Sequence, residues 1–266
     1  MQKKRVDGLL VERGLADSLA QAQRLVMAGQ VRANGQVIPV PNMSVLTDVR
    51  LEVHQRSRFV SRGGEKLQAA LRAFTIDVEG KICADLGAST GGFTDCLLQT
   101  GAQRVYAIDV GRGILHWKLR QDPRVVVMEN TNARYVECLP ELVDLVTIDV
   151  SFISLKILLP VVKKWFHGLP CIHDGVSPSP ESLLERGRGK AGNVIALIKP
   201  QFEADRYTVD QVEGVISDPV VHQHVLLDIL GFAQDQGFSV HGLVRSPLLG
   251  PKGNVEFLAW LIYPGT

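Results

Sequence analysis

Two charged residues directly follow apolar runs that are typical of buried strands. Asp149 comes after Val146-Thr147-Ile148, and Lys199 comes after the four apolar residues 195–198. In an open α/β sheet the ligand site lies at the carboxyl ends of the strands, so both side chains are candidates for chemistry. Burying an ammonium group costs free energy unless it is paired, which makes Asp149 the natural partner of Lys199. A structural ion pair and a catalytic lysine both fit this pattern.

A glycine-rich turn interrupts the chain between residues 87 and 92. The apolar strand 82–86 precedes it, and a helix is expected to begin near Phe93. Glycines let backbone N–H groups approach a ligand, and a helix N-terminus favours a carboxylate or phosphate. Three residues separate Gly87 from Gly91, which departs from the G-x-G-x-x-G spacing of dinucleotide-binding proteins. The turn therefore indicates a nucleotide-type ligand other than NAD, or a strand–turn–helix that binds no ligand.

Two acidic residues narrow the choice of ligand. Asp85 ends the strand before the turn, where its carboxylate could accept a hydrogen bond from an ammonium group. Asp109 ends the next apolar run, 105–108, at the position where a ribose diol is usually held. An amino acid joined to a nucleoside would use both acids, and S-adenosylmethionine is such a molecule. Its sulfonium is already an activated electrophile, so a protein that uses it mainly aligns oxygen, methyl and sulfur.

A base at the same edge of the sheet would complete this chemistry. A lysine held among apolar groups and near another cation has its charged form disfavoured and can act as a base. A ribose 2′-hydroxyl is a weak acid, so methyl transfer to it benefits from such a base, and no metal is required. Lys199 fits this role, whereas Ser151 and Ser154 lack the G-x-S-x-G setting of a hydrolase.

The elements that carry these residues alternate between strand and helix from Lys81 onward. This order predicts an α/β fold, Rossmann-like, with an open and mostly parallel sheet. The predicted elements are strand 82–86, helix 92–99, strand 104–108, helix 112–121, strands 124–127 and 143–148, helix 153–166, strand 194–198, helix 218–236, and strands 238–244 and 256–262. By analogy with class I methyltransferases, the last two strands are expected to form an antiparallel edge.

Residues 1–56 are expected to form a separate, small α+β domain. Ser18 and Gln21 form a capping box for a helix, and Asn34-Gly35 predicts a hairpin turn. Up to residue 60 there are nine basic and five acidic residues, whereas the whole chain has a net charge of +1. This asymmetry is typical of a phosphate-binding appendage, although a solvated surface could carry the same charge. The candidate RNA contacts are Lys3, Lys4, Arg5, Arg13, Arg24, Arg32, Arg58 and Arg62.

Two segments have no regular periodicity. Residues 57–64 are interpreted as a linker, because Gly63-Gly64 permits a bend, and the catalytic domain is placed at 65–266. A helix face formed by Leu67, Ala70, Leu71 and Phe74 follows the linker. Residues 167–193 are interpreted as a flexible surface insertion, with a basic finger on RNA as the alternative.

The composition is that of an ordinary globular protein. The chain has 266 residues, of which 45% are hydrophobic and 21% charged. Its four cysteines lie far apart without metal or disulfide spacing, so we expect reduced thiols and no zinc site in a cytoplasmic protein. No apolar run approaches the ~20 residues that span a bilayer, so no membrane partner is expected. Nothing in the sequence demands more than a monomer or a weak oligomer.

Six motifs in combination resemble the TlyA (haemolysin A-like) family, whose methyltransferase domain is of the FtsJ type. They occupy residues 61–67, 85–95, 130–134, 149–155, 199–203 and 253–257, and the likeness extends over nearly the whole chain except 167–193. Residues 5–53 similarly resemble the small RNA-binding domain named after ribosomal protein S-four. There Leu19 departs from the arginine that is common after the serine, which removes one potential RNA contact.

The resemblance implies S-adenosyl-L-methionine-dependent 2′-O-methylation of ribosomal RNA, at a cytidine of 16S or 23S rRNA or both, with naked RNA or a ribosomal subunit as partner. It implies a catalytic tetrad of Lys66, Asp149, Lys199 and Glu256. Lys199 would be the base, Asp149 and Glu256 would orient it, and Lys66 would set the local field or hold the ribose. The implied cofactor contacts are Asp85, Gly87, Ser89, Gly91, Phe93, Asp109 and Asn132.

Three other functions remain to be weighed. A non-catalytic RNA-binding or ribosome-assembly factor could keep this fold, but it would not need the complete tetrad. A membrane-damaging haemolysin, suggested by the family's historical name, lacks a supporting basic amphipathic helix in the sequence. An NAD-dependent oxidoreductase conflicts with the glycine spacing.

Overall fold

The computed structural model describes residues 3–53, 58–167, 191–204, 214–250 and 252–264. The chain divides into two compact units, Met1–Ser57 and Arg58–Thr266. Of the predicted linker, residues 58–64 are described, and they pack within the second unit. Phe59 is buried, and the backbone N–H of Val60 donates to Asp95 Oδ2 over 2.8 Å. The predicted insertion at 167–193 lies outside the described residues except at its two ends.

The first unit combines two helices with two small antiparallel sheets. Its elements are β1 (Lys3–Arg5), α1 (Val6–Glu12), α2 (Leu19–Met27), β2 (Val31–Ala33), β3 (Gln36–Val37), β4 (Ser44–Leu46) and β5 (Leu51–Val53). Strand β1 pairs with β4, and β2 lies between β3 and β5. The predicted cap is confirmed, because Ser18 Oγ accepts from the backbone N–H of Gln21. The predicted turn is also present, with positive φ at Asn34 and Gly35.

The second unit is built around a seven-stranded sheet. Its strands are β6 (Ile82–Leu86), β7 (Arg104–Ile108), β8 (Val125–Met128), β9 (Leu145–Ile148), β10 (Gly192–Ile198), β11 (Ser239–Arg245) and β12 (Phe257–Tyr263). Their spatial order is β11-β12-β10-β9-β6-β7-β8. The pairs from β10 to β8 are parallel, and β12 runs antiparallel to both of its neighbours. The predicted α/β fold and its antiparallel edge are confirmed.

Helices cover both faces of this sheet. They are α3 (Gly63–Phe74), α4 (Gly92–Gln99), α5 (Trp117–Arg120), α6 (Leu155–Val162), α7 (Lys164–His167), α8 (Pro200–Glu203) and α9 (Pro219–Asp235). One apolar cluster packs α6 and α9 on one face, and a second packs α3 and α4 on the other. The predicted face of α3 is confirmed, because Leu67, Ala70 and Leu71 are buried. The covered sheet fixes the strand ends from which the candidate residues project.

Two predicted helices differ from the structure. The helix expected over 112–121 is only the four-residue α5, because the backbone N–H groups of 113–115 donate to the carboxylate of Glu129 instead of to helical carbonyls. The helix expected over 153–166 is divided into α6 and α7 at Lys163. Periodicity alone could not locate either change. The shortening to α5 depends on the distant Glu129 side chain, and the division at Lys163 does not interrupt the apolar pattern.

The cysteine prediction is corrected at one position. Cys83 and Cys96 are free and buried, and burial raises the pKa of the Cys96 thiol to about 12. Both thiols are therefore poor nucleophiles. Cys138 is disulfide-bonded, contrary to the expectation that every thiol is reduced. Spacing along the chain could not reveal this, because pairing depends on distances in the folded protein.

Candidate active site

The carboxyl ends of β9 and β10 bring Asp149 and Lys199 together. Lys199 Nζ lies 2.7 Å from Asp149 Oδ1. It also donates to the carbonyl oxygen of Val150 over 2.9 Å and to Ser151 Oγ over 3.2 Å. Lys199 is only 8% exposed, and an ammonium group has three N–H bonds, so these acceptors match its donors. The predicted ion pair between Asp149 and Lys199 is present.

The reversed strand β12 brings Glu256 to the same edge. Ile198 pairs with Phe257 in the β10–β12 ladder, so the next positions, Lys199 and Glu256, lie across from each other. Glu256 is 1% exposed and its Oε2 atom accepts from Lys66 Nζ over 2.5 Å. Lys66 reaches this point from the first turns of α3. The four predicted catalytic residues therefore form two ion pairs, of which Lys66–Glu256 is buried and Lys199–Asp149 is partly buried.

An extended cleft opens over these strand ends. A cavity of about 870 Å³ is lined by all four residues of the tetrad. Two adjoining cavities, of about 620 and 450 Å³, share Gly87, Ser89 and Asp149 with it. The three volumes meet at the end of β6, which places the glycine turn beside the two ion pairs. The cleft is therefore large enough for a nucleoside-sized ligand and an acceptor group together.

Gly87 permits the close approach of β6 and β9. Its φ is +78°, and a Cβ atom there would lie 2.4 Å from the carbonyl oxygen of Asp149. Gly91, in contrast, does not line the cleft. A Cβ atom on it would lie 2.1 Å from Leu119 Cδ1, so its role is to let the turn pack against Leu119 and Leu115. The neighbouring Gly92 and the predicted contact Phe93 do line the cavity of about 450 Å³.

Asp85 lies beneath the glycine turn, at the end of β6. It is fully buried, and its carboxylate accepts from Thr94 Oγ1 over 2.6 Å and from Thr147 Oγ1 over 3.0 Å. Burial raises the pKa of Asp85 to about 6, although both threonine hydrogen bonds oppose this shift. The carboxylate thus joins β6 to α4 and β9 beneath the turn. Its predicted contact with a ligand's ammonium group stays a prediction, and what the structure shows is a buried carboxylate held by two threonines under the cleft.

Asp109 and Asn132 lie at one end of the cleft, in the cavity of about 620 Å³. Asp109 Oδ2 accepts from the backbone N–H of Ser89 over 2.8 Å, and Oδ1 accepts from Gly111 over 2.7 Å. These bonds fix the carboxylate at the end of β7, where it lines the cavity of about 620 Å³. Apolar side chains, among them Ile108 and Val110, line the same cavity. An acid beside an apolar slot suits a ribose diol and a purine ring.

Sequence reasoning did not assign a role to Glu203. Its carboxylate accepts from Ser154 Oγ over 2.6 Å and from the backbone N–H of Leu155 over 2.9 Å. It therefore ties α8, which follows Lys199, to the start of α6, which follows the loop that carries Asp149. Burial raises the pKa of Glu203, because its two partners only partly offset desolvation. The residue was visible in the 199–203 motif, but the pattern gave no indication of its partners.

The predicted RNA-binding cations are divided between the two units. Six lie in the first unit and are exposed or partly exposed: Lys3, Lys4, Arg5, Arg13, Arg24 and Arg32. Lys4 pairs with Glu12 and Arg5 with Asp7, while Arg13 donates to the backbone carbonyls of residues 47 and 49. Arg58 and Arg62 are exposed in the second unit, where Arg62 lines the cavity of about 450 Å³.

The residues of the cleft fit S-adenosylmethionine. A Cβ atom at Gly87 would collide with the facing strand end, so only a glycine leaves the turn's backbone in this position. Asp109 presents a fixed carboxylate that suits a ribose diol, and Asn132 lines the same cavity. The neighbouring ion pairs provide charged groups at the end where the methyl group would be transferred. These features define a class I S-adenosylmethionine-dependent methyltransferase.

Comparison with known protein families supports the assignment to the methyltransferases. The FtsJ-like methyltransferase family model matches residues 59–263, and the S4 domain model matches residues 4–50. The chain belongs to the FtsJ-like methyltransferase family and carries an S4 domain at its N-terminal end. Its cofactor is S-adenosyl-L-methionine, as in that family.

Relatives extend over both units. The chain is 42% identical to the 16S/23S rRNA (cytidine-2′-O)-methyltransferase TlyA of Mycobacterium tuberculosis, covering 98% of this chain and 90% of that protein. It is 38% identical to Hemolysin A of Brachyspira hyodysenteriae, covering 97% and 99%. A solved structure from Streptococcus thermophilus, provisionally described as a hemolysin, is 42% identical with a TM-score of 0.68, covering 99% and 89%. The family resemblance predicted from the motifs is confirmed.

Two further properties concern only the part of the chain that the structure describes. No helix there is both long and apolar enough to cross a membrane. In the same residues, no group of three or more His, Cys, Asp or Glu side chains is arranged to hold a metal ion.

Proposed function

We propose that this protein transfers the methyl group of S-adenosylmethionine to a ribose 2′-hydroxyl of ribosomal RNA, at a cytidine. The observation that carries the proposal is the pairing of Lys199 with Asp149 and of Lys66 with Glu256 in one cavity beside the cofactor cleft. The relative TlyA is described as a 16S/23S rRNA (cytidine-2′-O)-methyltransferase, which supports the choice of acceptor. The S4 domain supports an RNA partner.

Lys199 is the residue that we assign to the acceptor oxygen. Of its three hydrogen bonds, the one to Ser151 Oγ is the longest, and Ser151 is exposed at the cavity. An incoming 2′-hydroxyl can replace Ser151 while the contact with Asp149 continues to hold the lysine side chain. We assign Nζ, in its amine form, as the group that takes the hydroxyl proton when the ribose oxygen attacks the methyl group.

The other charged residues position this base and its acceptor. Asp149 holds Nζ at the end of β9, next to Gly87 and therefore next to the cofactor's amino-acid end. Glu256 fixes Lys66 in the same cavity, where the cation can stabilise negative charge on the ribose oxygen as its proton leaves. The bound cofactor supplies an activated methyl group on a sulfonium. The protein therefore supplies alignment, a proton acceptor and a fixed electrostatic field.

The experiment that tests this function is methyl transfer from labelled S-adenosylmethionine to ribosomal subunits that lack the modification. Wild-type protein is compared with Lys199→Ala, and Lys164→Ala serves as a matched control because Lys164 is an exposed lysine on α7. We expect label in rRNA with wild type and Lys164→Ala, and a loss of at least 100-fold with Lys199→Ala. Equal transfer by Lys199→Ala would exclude its role as the base.

The alternative hypothesis, that the protein is a non-catalytic RNA-binding factor, predicts a different result in this experiment. Such a protein would bind subunits and leave them unlabelled, with wild type and Lys199→Ala behaving alike.

We also propose that the protein acts in the cytoplasm, where ribosomal subunits are its substrate.

A further inference from the structure

Glu129 holds a loop of the cofactor cleft without lining the cleft itself. It directly follows β8, and its side chain is 12% exposed. Its Oε2 atom accepts from the backbone N–H of Gly113 over 2.7 Å, and its Oε1 atom accepts from Ile114 and Leu115, each over 3.0 Å. One carboxylate thus binds three consecutive amide groups of the segment 111–115, here called the wall loop.

Arg120 completes this arrangement from α5. Its Nη2 atom donates to Glu129 Oε1, and its Nε atom donates to the carbonyl oxygen of Leu115 over 3.0 Å. Burial opposes ionisation of Glu129, but the hydrogen bonds from Arg120, Leu115 and Gly113 outweigh it and lower the pKa to about 2. The carboxylate is therefore ionised throughout the physiological range. A charged acceptor makes stronger hydrogen bonds than a neutral one, so the loop is firmly held.

The wall loop forms one side of the nucleoside end of the cleft. Ile114 and the preceding Val110 line the cavity of about 620 Å³, which also contains Asp109. The backbone N–H of Gly111 donates to Asp109 Oδ1, so the loop and the ribose-binding carboxylate are connected. On its other side the loop carries Leu115, which packs against the glycine turn at Gly91. Displacement of the loop would therefore disturb both the apolar slot and the turn.

We propose that Glu129 is a positioning residue for the cofactor: it fixes the wall loop so that Val110, Ile114 and Asp109 form a ready-made nucleoside site. Its side chain lines none of the three cavities of the cleft. A pre-formed site binds more tightly because no ordering of the loop accompanies binding. The effect of Glu129 is therefore expected on cofactor affinity and not on the chemical step. The inference needs only the cofactor, so it stands or fails separately from the identity of the RNA acceptor.

The test is binding of S-adenosylhomocysteine to the full chain, measured by calorimetry without RNA. Glu129→Ala is expected to weaken binding at least tenfold. Glu129→Gln is expected to be intermediate, because its amide oxygen still accepts backbone hydrogen bonds but carries no charge. Glu137→Ala is the matched control, since Glu137 is an exposed glutamate of the same unit. Unchanged affinity in folded Glu129→Ala would overturn the proposal.

Two additional readouts separate positioning from general destabilisation. Hydrogen exchange at residues 113–115 should accelerate in Glu129→Ala, while exchange in strand β6 stays as in the wild type. In methyl-transfer assays KM for S-adenosylmethionine should rise at least tenfold, with kcat at saturating cofactor within about twofold of wild type. If Glu129→Ala fails to fold, Glu129→Gln carries the same comparison. A loss of kcat with unchanged KM, or faster exchange throughout the sheet, would contradict the proposed role.

Discussion

Replacing Asp85 by asparagine should change the pH dependence of stability in a defined direction. The pKa of this buried carboxyl is raised from 3.8 to about 6, chiefly by desolvation. The folded protein therefore binds this proton more tightly than the unfolded chain does. The resulting stabilisation is complete below pH 3.8 and is lost as the pH rises to about 6. A shift of about 2 units corresponds to about 3 kcal/mol at most.

Asparagine at this position cannot ionise, so Asp85→Asn does not lose this stabilisation as the pH rises. The difference in unfolding free energy, variant minus wild type, should increase by about 2–3 kcal/mol between pH 4 and pH 7. Hydrogen bonds to Thr94 and Thr147 will be altered by the amide, which displaces the whole curve but not its slope. Carboxylates with lowered pKa, such as Glu129, contribute equally to both proteins and cancel in the difference.

Urea unfolding followed by tryptophan fluorescence provides the measurement. The three tryptophans, Trp117, Trp165 and Trp260, all belong to the second unit, so the signal reports on the unit that contains Asp85. Asp235→Asn is the control, because Asp235 is an exposed aspartate of the same unit. A constant difference between Asp85→Asn and wild type from pH 4 to pH 7 would refute the account of Asp85 as a desolvated carboxyl.

Two further substitutions test the turn and the buried ion pair. Gly87→Ala should weaken S-adenosylhomocysteine binding at least tenfold, because its Cβ would lie 2.4 Å from backbone on the facing strand end. Gly80→Ala is the control, because Gly80 also has a positive φ but no atom lies within 4 Å of its Cβ position. This variant should lose only about 1–2 kcal/mol of stability and retain binding. Equal binding by the two variants would contradict the steric role of Gly87. Glu256→Ala should lower the unfolding free energy by about 3–5 kcal/mol, because it leaves Lys66 buried without its partner. Urea unfolding measures this loss, and a change under 1 kcal/mol would show that the pair is hydrated.

The order of strands and helices was largely predictable from the sequence of the second unit. Strands 82–86 and 104–108 and helix 92–99 have the predicted bounds, because short apolar runs between turn residues carry a clear pattern. The two-residue β3 and the three-residue β1 and β4 are too short to show any period. Where a distant side chain decides the backbone, as Glu129 does for the wall loop, local pattern predicts a helix that does not form.

The candidate site was predictable in its residue types and less so in its contacts. Asp149 and Lys199 could be paired from their positions at strand ends, since parallel strands share an edge. The partner of Lys66 depended on the register of β12, which no local sequence encodes. The sequence placed Asp85 at the end of its strand but did not reveal its two threonine partners, because those contacts depend on how β6 packs against α4 and β9.

The most direct test of the central claim identifies the atom that receives the methyl group. Ribosomal subunits treated with the protein and S-adenosylmethionine are digested to nucleosides, and the RNA is mapped in parallel by alkaline cleavage. We predict 2′-O-methylcytidine by mass spectrometry, together with one or a few positions that resist alkali, in the wild-type reaction and not in that of Lys199→Ala. Methylation on a base, or on protein, with no alkali-resistant position would contradict the account.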